Sequence, residues 1–116
     1  MHIDFPKDLL EVAVNLHSLG LREVAWPRHE ALEVVDWYNA RGHAILGGDV
    51  FIADENFSKI NYASANWFVN EKQIKESWLE YTKRSREVAY KFIANYQEQK
   101  GKVTLYSVVS SFELHP

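Results

Sequence analysis

The chain has 116 residues, 13 Lys plus Arg, 16 Asp plus Glu and no cysteine, for a formal net charge of −3. Such a length fits one domain, expected to span residues 1–116, and it buries roughly 65% of the unfolded surface, enough for a core without staples. A composition 47% hydrophobic and 25% charged excludes wholesale disorder, and the missing cysteine excludes a disulfide scaffold, a thiolate zinc site and a Cys nucleophile.

The first helix is predicted after Asp4-Phe5-Pro6, with Asp4 as cap and Pro6 in the first turn, where its missing N–H costs nothing. Leu9, Val12, Ala13, Leu16 and Leu19 recur at three- and four-residue steps and form one apolar face, stopped by Gly20. Glu23-Val24-Ala25-Trp26 reads as a short strand or an extended connector. Pro27 opens a second helix that runs roughly to Arg41, with Ala31, Val34, Val35 and Tyr38 facing inward and Gly42 as its end. Ala44-Ile45-Leu46 and Val50-Phe51-Ile52-Ala53 are strand material around Gly47-Gly48-Asp49. Residues 54–65 are polar and turn-rich, and Asn66-Trp67-Phe68-Val69 returns as a strand.

The third helix is the clearest element. Trp78, Tyr81, Ser85, Val88, Phe92 and Tyr96 step by three or four, and Ser77 with Glu80 has the spacing of a capping box. Glu80–Arg84, Lys83–Glu87 and Glu87–Lys91 are spaced for ion pairs on its outer face, and Gly101 is its expected end. Val103–Phe112 reads as a last strand, apolar on both faces and therefore central. The sum is an α+β fold: a small, mostly antiparallel sheet of three to five strands with about three helices packed mainly on one face.

Chemistry-bearing patterns are sparse. The five histidines (His2, His17, His29, His43 and His115) show no zinc-type spacing on a helix, and no Gly-x-Ser-x-Gly or phosphate-binding glycine loop occurs. No catalytic residue, cofactor or metal is expected. Gly47-Gly48-Asp49 is the most distinctive feature: a glycine bulge or a tight bend in a sheet, with Asp49 either pinning it or displayed as an acidic group at the sheet end. Asp54-Glu55 ahead of Asn56 starts a solvated loop or offers further carboxylates. Trp37 is out of phase with the inner face of its helix, and Trp67 follows a polar loop, so both are either packed or interface anchors.

The charge is uneven. Residues 1–56 carry four bases and ten acids; residues 57–116 carry nine bases and six acids. A net acidic chain without a basic stripe argues against nucleic acid as partner, and the acidic half suits a basic one. Met1-His2-Ile3-Asp4 lacks the regions of a secretory signal, and no apolar run approaches the ~18 residues of a membrane span, so a cytoplasmic location without membrane contact is expected.

Several segments taken in order carry a resemblance: Ala44-Ile45-Leu46-Gly47-Gly48-Asp49-Val50-Phe51, Asn66-Trp67, Ser77-Trp78-Leu79-Glu80-Tyr81-Thr82-Lys83-Arg84-Ser85, Ile93-Ala94-Asn95-Tyr96 and Leu105-Tyr106-Ser107-Val108-Val109. Over roughly residues 35–110 the chain resembles the immunity protein 40 family of bacterial polymorphic toxin systems. The resemblance implies a cytoplasmic protein that binds and blocks a cognate toxin domain, without catalysis. The candidate partner-binding residues are Trp67, Asp49, Asp54, Glu55 and Trp37. Two other readings stand beside it: a small enzyme using Asp49 with a nearby His such as His43, and a homo-oligomeric structural or regulatory module built on the aromatic surface.

Overall fold

The structure is a computed structural model that describes residues 5–113. In chain order the elements are α1 (Lys7–Val12), β1 (Val14–Asn15), a 3₁₀ turn (His17–Leu19), β2 (Val24–Ala25), α2 (Arg28–Ala40), β3 (Ala44–Ala53), β4 (Ile60–Phe68), α3 (Trp78–Asn95), β5 (Val103–Tyr106) and β6 (Val109–Ser111). β1 and β2 form a two-stranded antiparallel ribbon. The other four strands form one antiparallel sheet with β3 at its centre: β4 pairs along one side of it, β5 and β6 along the other. The expected α+β architecture is therefore present, with a four-stranded main sheet.

β3 runs unbroken through Gly47-Gly48-Asp49, where a bend between two strands was one expectation. The glycines make that passage possible. A Cβ on Gly47 would stand 2.4 Å from the Trp67 carbonyl oxygen, and one on Gly48 would stand 2.0 Å from the Ser107 carbonyl oxygen. Gly47 also holds a φ of +151°, which L side chains rarely adopt. The β3–β6 register slips between Ile45 and Gly47, and the β3–β4 register slips between Asp49 and Phe51. Both glycines thus sit in a bulged stretch, as glycine within a strand signals.

The pinch at Gly48 also splits the last strand. Val103–Phe112 is not one central strand but β5 and β6, separated at Ser107. Ser107 N–H donates to the Asp49 carbonyl at 3.0 Å, and its hydroxyl accepts the Asp49 N–H at 2.9 Å. β5 has β3 on one side; on the other it has only the isolated Trp26–Tyr106 bridge among the described residues. Its two apolar faces, which suggested a central strand, arise because Leu105 and Tyr106 enter different cores.

The larger core lies between the sheet and the helices. Leu9, Val34, Val35 and Ile93 from the helices meet Ile45, Val50, Trp67 and Tyr106 from the strands. α2 presents Ala31, Val34, Val35 and Tyr38 to it, as its spacing predicts. The smaller core lies on the opposite face, because Phe51 and Val50 are neighbours in one strand and point apart. There Leu16 and Ala25 cover Phe51, Ala53 and Leu105.

That division ends the first helix early. The chain leaves helical geometry at Ala13 (φ −60°, ψ 134°), so Leu9 serves the larger core and Leu16 the smaller one. Leu16 and Leu19 are not on the expected helix, although Gly20 does take the left-handed conformation, after the 3₁₀ turn. The predicted Asp4 cap lies outside the described residues.

α3 starts on the capping box: the Ser77 hydroxyl accepts Glu80 N–H at 3.0 Å, and Glu80 Oε1 accepts Ser77 N–H at 2.7 Å. It ends at Asn95, not near Gly101. The Arg28 guanidinium, from the start of α2, donates to the carbonyls of Ile93 and Tyr96 and so takes up the last acceptors of the helix. None of the three expected ion pairs forms on α3 among the described residues. Glu80 is engaged by the cap, and Arg84 turns to Glu76 at 2.7 Å and to the carbonyls of Asn70 and Glu71. Arg86 pairs with Asp36 and ties α3 to α2. No helix is long and apolar enough to cross a membrane among the described residues.

Candidate functional site

The helices pack on one face of the sheet, and the segment around β1 and β2 covers only one end of the other. At the bare end, Leu46, Phe68 and Val109 are exposed, Phe68 by 72%. Strand alternation and register bring them together. Trp67 points into the larger core, so Phe68 points away from it. Phe68 stands opposite Gly47, and Gly47 stands opposite Val109 on the other side. No Cβ rises between them. The result is a shallow depression of about 300 Å³, lined by residues 46–49, 66–68 and Val109.

One rim of this shelf is acidic. Asp49, half-buried, faces Asn66 across the ladder. Glu23, just before β2, is near enough for the two charges to interact: burial, then the Asp49 carboxylate, push the Glu23 carboxyl above its ordinary range. Glu23 and Val109 also line an adjoining depression of about 340 Å³ with Tyr38, His43 and Ser110. Neither Glu23 nor Asp49 forms an ion pair among the described residues.

The predicted residues are dispersed. Asp49 is on the shelf within the continuous β3, and Ser107 pins its backbone, while its carboxylate has no hydrogen bond among the described residues. Trp67 lines the floor but is only 6% exposed; its ring stacks on Phe92 at 5.6 Å, and its Nε1 finds no partner among the described residues. The exposed aromatic is its neighbour Phe68. Trp37 is half-buried against Phe5, with ring centroids 4.6 Å apart, and the Arg41 guanidinium lies 3.7 Å over its ring. Asp54 closes the β3–β4 turn: it accepts the Ser58 hydroxyl and the Lys59 N–H, and those two bonds hold its carboxyl below the usual range. Glu55 is exposed in the same turn.

Asp49 and His43 do not line the same depression. His43 stands in the adjoining one, stacked on Tyr38 at 5.2 Å, with Nδ1 3.0 Å from Ser110 Oγ. Burial, then the Arg41 charge, lower its pKa and favour the neutral ring. No group of three His, Asp or Glu side chains that could hold a metal occurs among the described residues.

Sequence reasoning missed Phe68 and Glu23. Phe68 lies in the run Trp67-Phe68-Val69, which reads as core because three apolar residues are consecutive. The signal that finds it is alternation at an edge strand: with Trp67 inward, Phe68 must face out. Glu23 has no local signature, since only the fold of the β2 segment against β5 brings it near Asp49.

A family model described as Immunity protein 40 matches residues 15–110, a span that takes in every main-sheet pairing residue but Ser111 and all of the β1–β2 ribbon but Val14. No curated protein and no solved structure matches the chain.

Proposed function

Because the chain belongs to the immunity protein 40 family, we propose that it binds and neutralises a cognate toxin domain of a bacterial polymorphic toxin system, in the cytoplasm and without catalysis. The family match carries this reading. The geometry supports it in one respect: inhibition by binding needs a rigid scaffold with an unpartnered surface, and the bare end of the sheet is such a surface. Three apolar side chains and Asp49 are displayed on a floor of paired strands, Glu23 stands in the adjoining depression, and neither carboxylate forms an ion pair among the described residues. An interface of standard size covers about 800 Å² on each partner, so the shelf would form its centre and the rim would extend onto neighbouring elements.

In this reading Asp49 contacts the toxin directly. Trp67 acts beneath the surface by holding the floor, and Trp37, Asp54 and Glu55 lie in other local settings, a helix flank and the far turn of the β3–β4 hairpin. Co-expression tests the function. The toxin domain encoded beside this chain should stop growth when expressed alone and spare cells that also make the chain. Persistent killing in the presence of abundant folded protein contradicts it.

A further inference from the structure

Resting on that reading, we infer that the bare end of the sheet is a docking shelf for a protein segment that presents an arginine or lysine side chain among apolar neighbours. The apolar half of the inference comes from Leu46, Phe68 and Val109. They are exposed and adjacent, and no residue among those described covers them. Contiguous apolar side chains at one end of a sheet whose other end is sealed mark a contact surface more often than a solvated one.

The cationic half comes from charge complementarity. Asp49 lines the shelf and Glu23 the adjoining depression, Val109 is common to both, and neither carboxylate has a cationic partner among the described residues. Arg22, beside Glu23 in the sequence, is exposed and pairs with neither carboxylate among the described residues, and two other cations are engaged elsewhere. Arg41 lies over Trp37, and Arg28 is bound to the end of α3 and to Glu98. A cation seated beside Val109 is attracted by both carboxylates, and a guanidinium offers each of them hydrogen-bond donors. The same carboxylates oppose a second copy of this chain, since a two-fold contact across the shelf brings four acids together.

Full-length, ¹⁵N-labelled protein tests this with N-acetyl-phenylalanyl-arginine amide as the probe and the citrulline analogue as its neutral twin. The arginine probe should perturb amides at residues 46–49, 66–68 and 109. The citrulline twin, and the arginine probe on Glu23→Gln/Asp49→Asn, should each bind about tenfold more weakly. Phe68→Ser, which keeps both carboxylates, should also weaken binding and serves as the second variant if the double one loses its dispersed spectrum. Perturbations scattered elsewhere, none at all, or equal for arginine and citrulline overturn the inference. So do shelf amides that shift on dilution of the protein alone, which would assign the shelf to a second copy. Failure of the immunity reading shows separately, as absence of cell protection by the unaltered chain.

Discussion

At one end of the sheet's outer face, Phe51, Ala53 and Leu105 lie beneath Leu16 and Ala25; at the other, Leu46, Phe68 and Val109 lie beneath nothing among the described residues. Both ends belong to the same strands. The difference is one of covering chain. Residues 14–25 form almost no regular structure beyond a two-residue ribbon and one 3₁₀ turn, yet with Leu16 and Ala25 they seal Phe51, Ala53 and Leu105. Leu16, Phe51 and Leu105 each contribute about 1.5–3 kcal/mol when taken fully out of water. The bare end leaves comparable side chains uncovered by any of the described residues.

The largest test of that contrast is a pair of truncations. Leu16→Ala should cost about 2–5 kcal/mol in urea unfolding, because Leu16 is fully buried and its removal leaves a cavity. Phe68→Ala should change stability by no more than about 0.5 kcal/mol, since an exposed side chain is lost. Equal losses would mean that the two ends are not differently covered.

Next in size is Gly48→Ala. The added Cβ meets the Ser107 carbonyl at 2.0 Å, backbone against backbone, so β3 and the β5–β6 junction must part. A loss of about 1–3 kcal/mol is expected, with amide shifts concentrated at Asp49 and Ser107. Unchanged stability would remove the close approach from the account of the shelf.

A smaller effect is pH-dependent and concerns the segment that leaves the bare end. Arg84 hydrogen-bonds Glu76, and with the Gln73 N–H it holds the Glu76 carboxyl down to about 2 from an ordinary 4.5. A depressed folded pKa means stability that is present above the unfolded value and lost as pH falls through the folded one. The wild type should therefore lose stability between pH 4.5 and about 2 more steeply than Glu76→Gln. Parallel acid profiles for the two would contradict the pairing.

The smallest expected effect is a titration. Burial and then Asp49 raise the Glu23 pKa, so Asp49→Asn should lower it part of the way toward its ordinary value, as followed by side-chain carboxyl NMR. A Glu23 curve that ignores the substitution would separate the two carboxylates.

The helices packed on the inner face were legible because their signals are local. Ser77-x-x-Glu80 marks the start of α3, and Pro27 with the Val34/Val35/Tyr38 spacing marks α2. The first helix was not legible. Leu9 and Leu16 share a helical spacing but are buried on opposite faces of the sheet, and periodicity does not distinguish one apolar face from two cores. Residues 60–65 of β4 read as loop because an edge strand exposes polar side chains, and because Ser64, at φ +59°, interrupts the ladder. Asp49 was legible through its glycine pair. Phe68 and Glu23 were not: one needs the strand's facing, the other a long-range approach.

Growth of cells that express the neighbouring toxin domain tests the central claim most directly, with the unaltered chain compared with Phe68→Ser/Asp49→Asn. The unaltered chain should restore growth. The double variant, equally abundant and equally folded by circular dichroism, should not. Equal protection by both would remove the bare end of the sheet as the toxin-binding surface, and protection by neither would remove the immunity function itself.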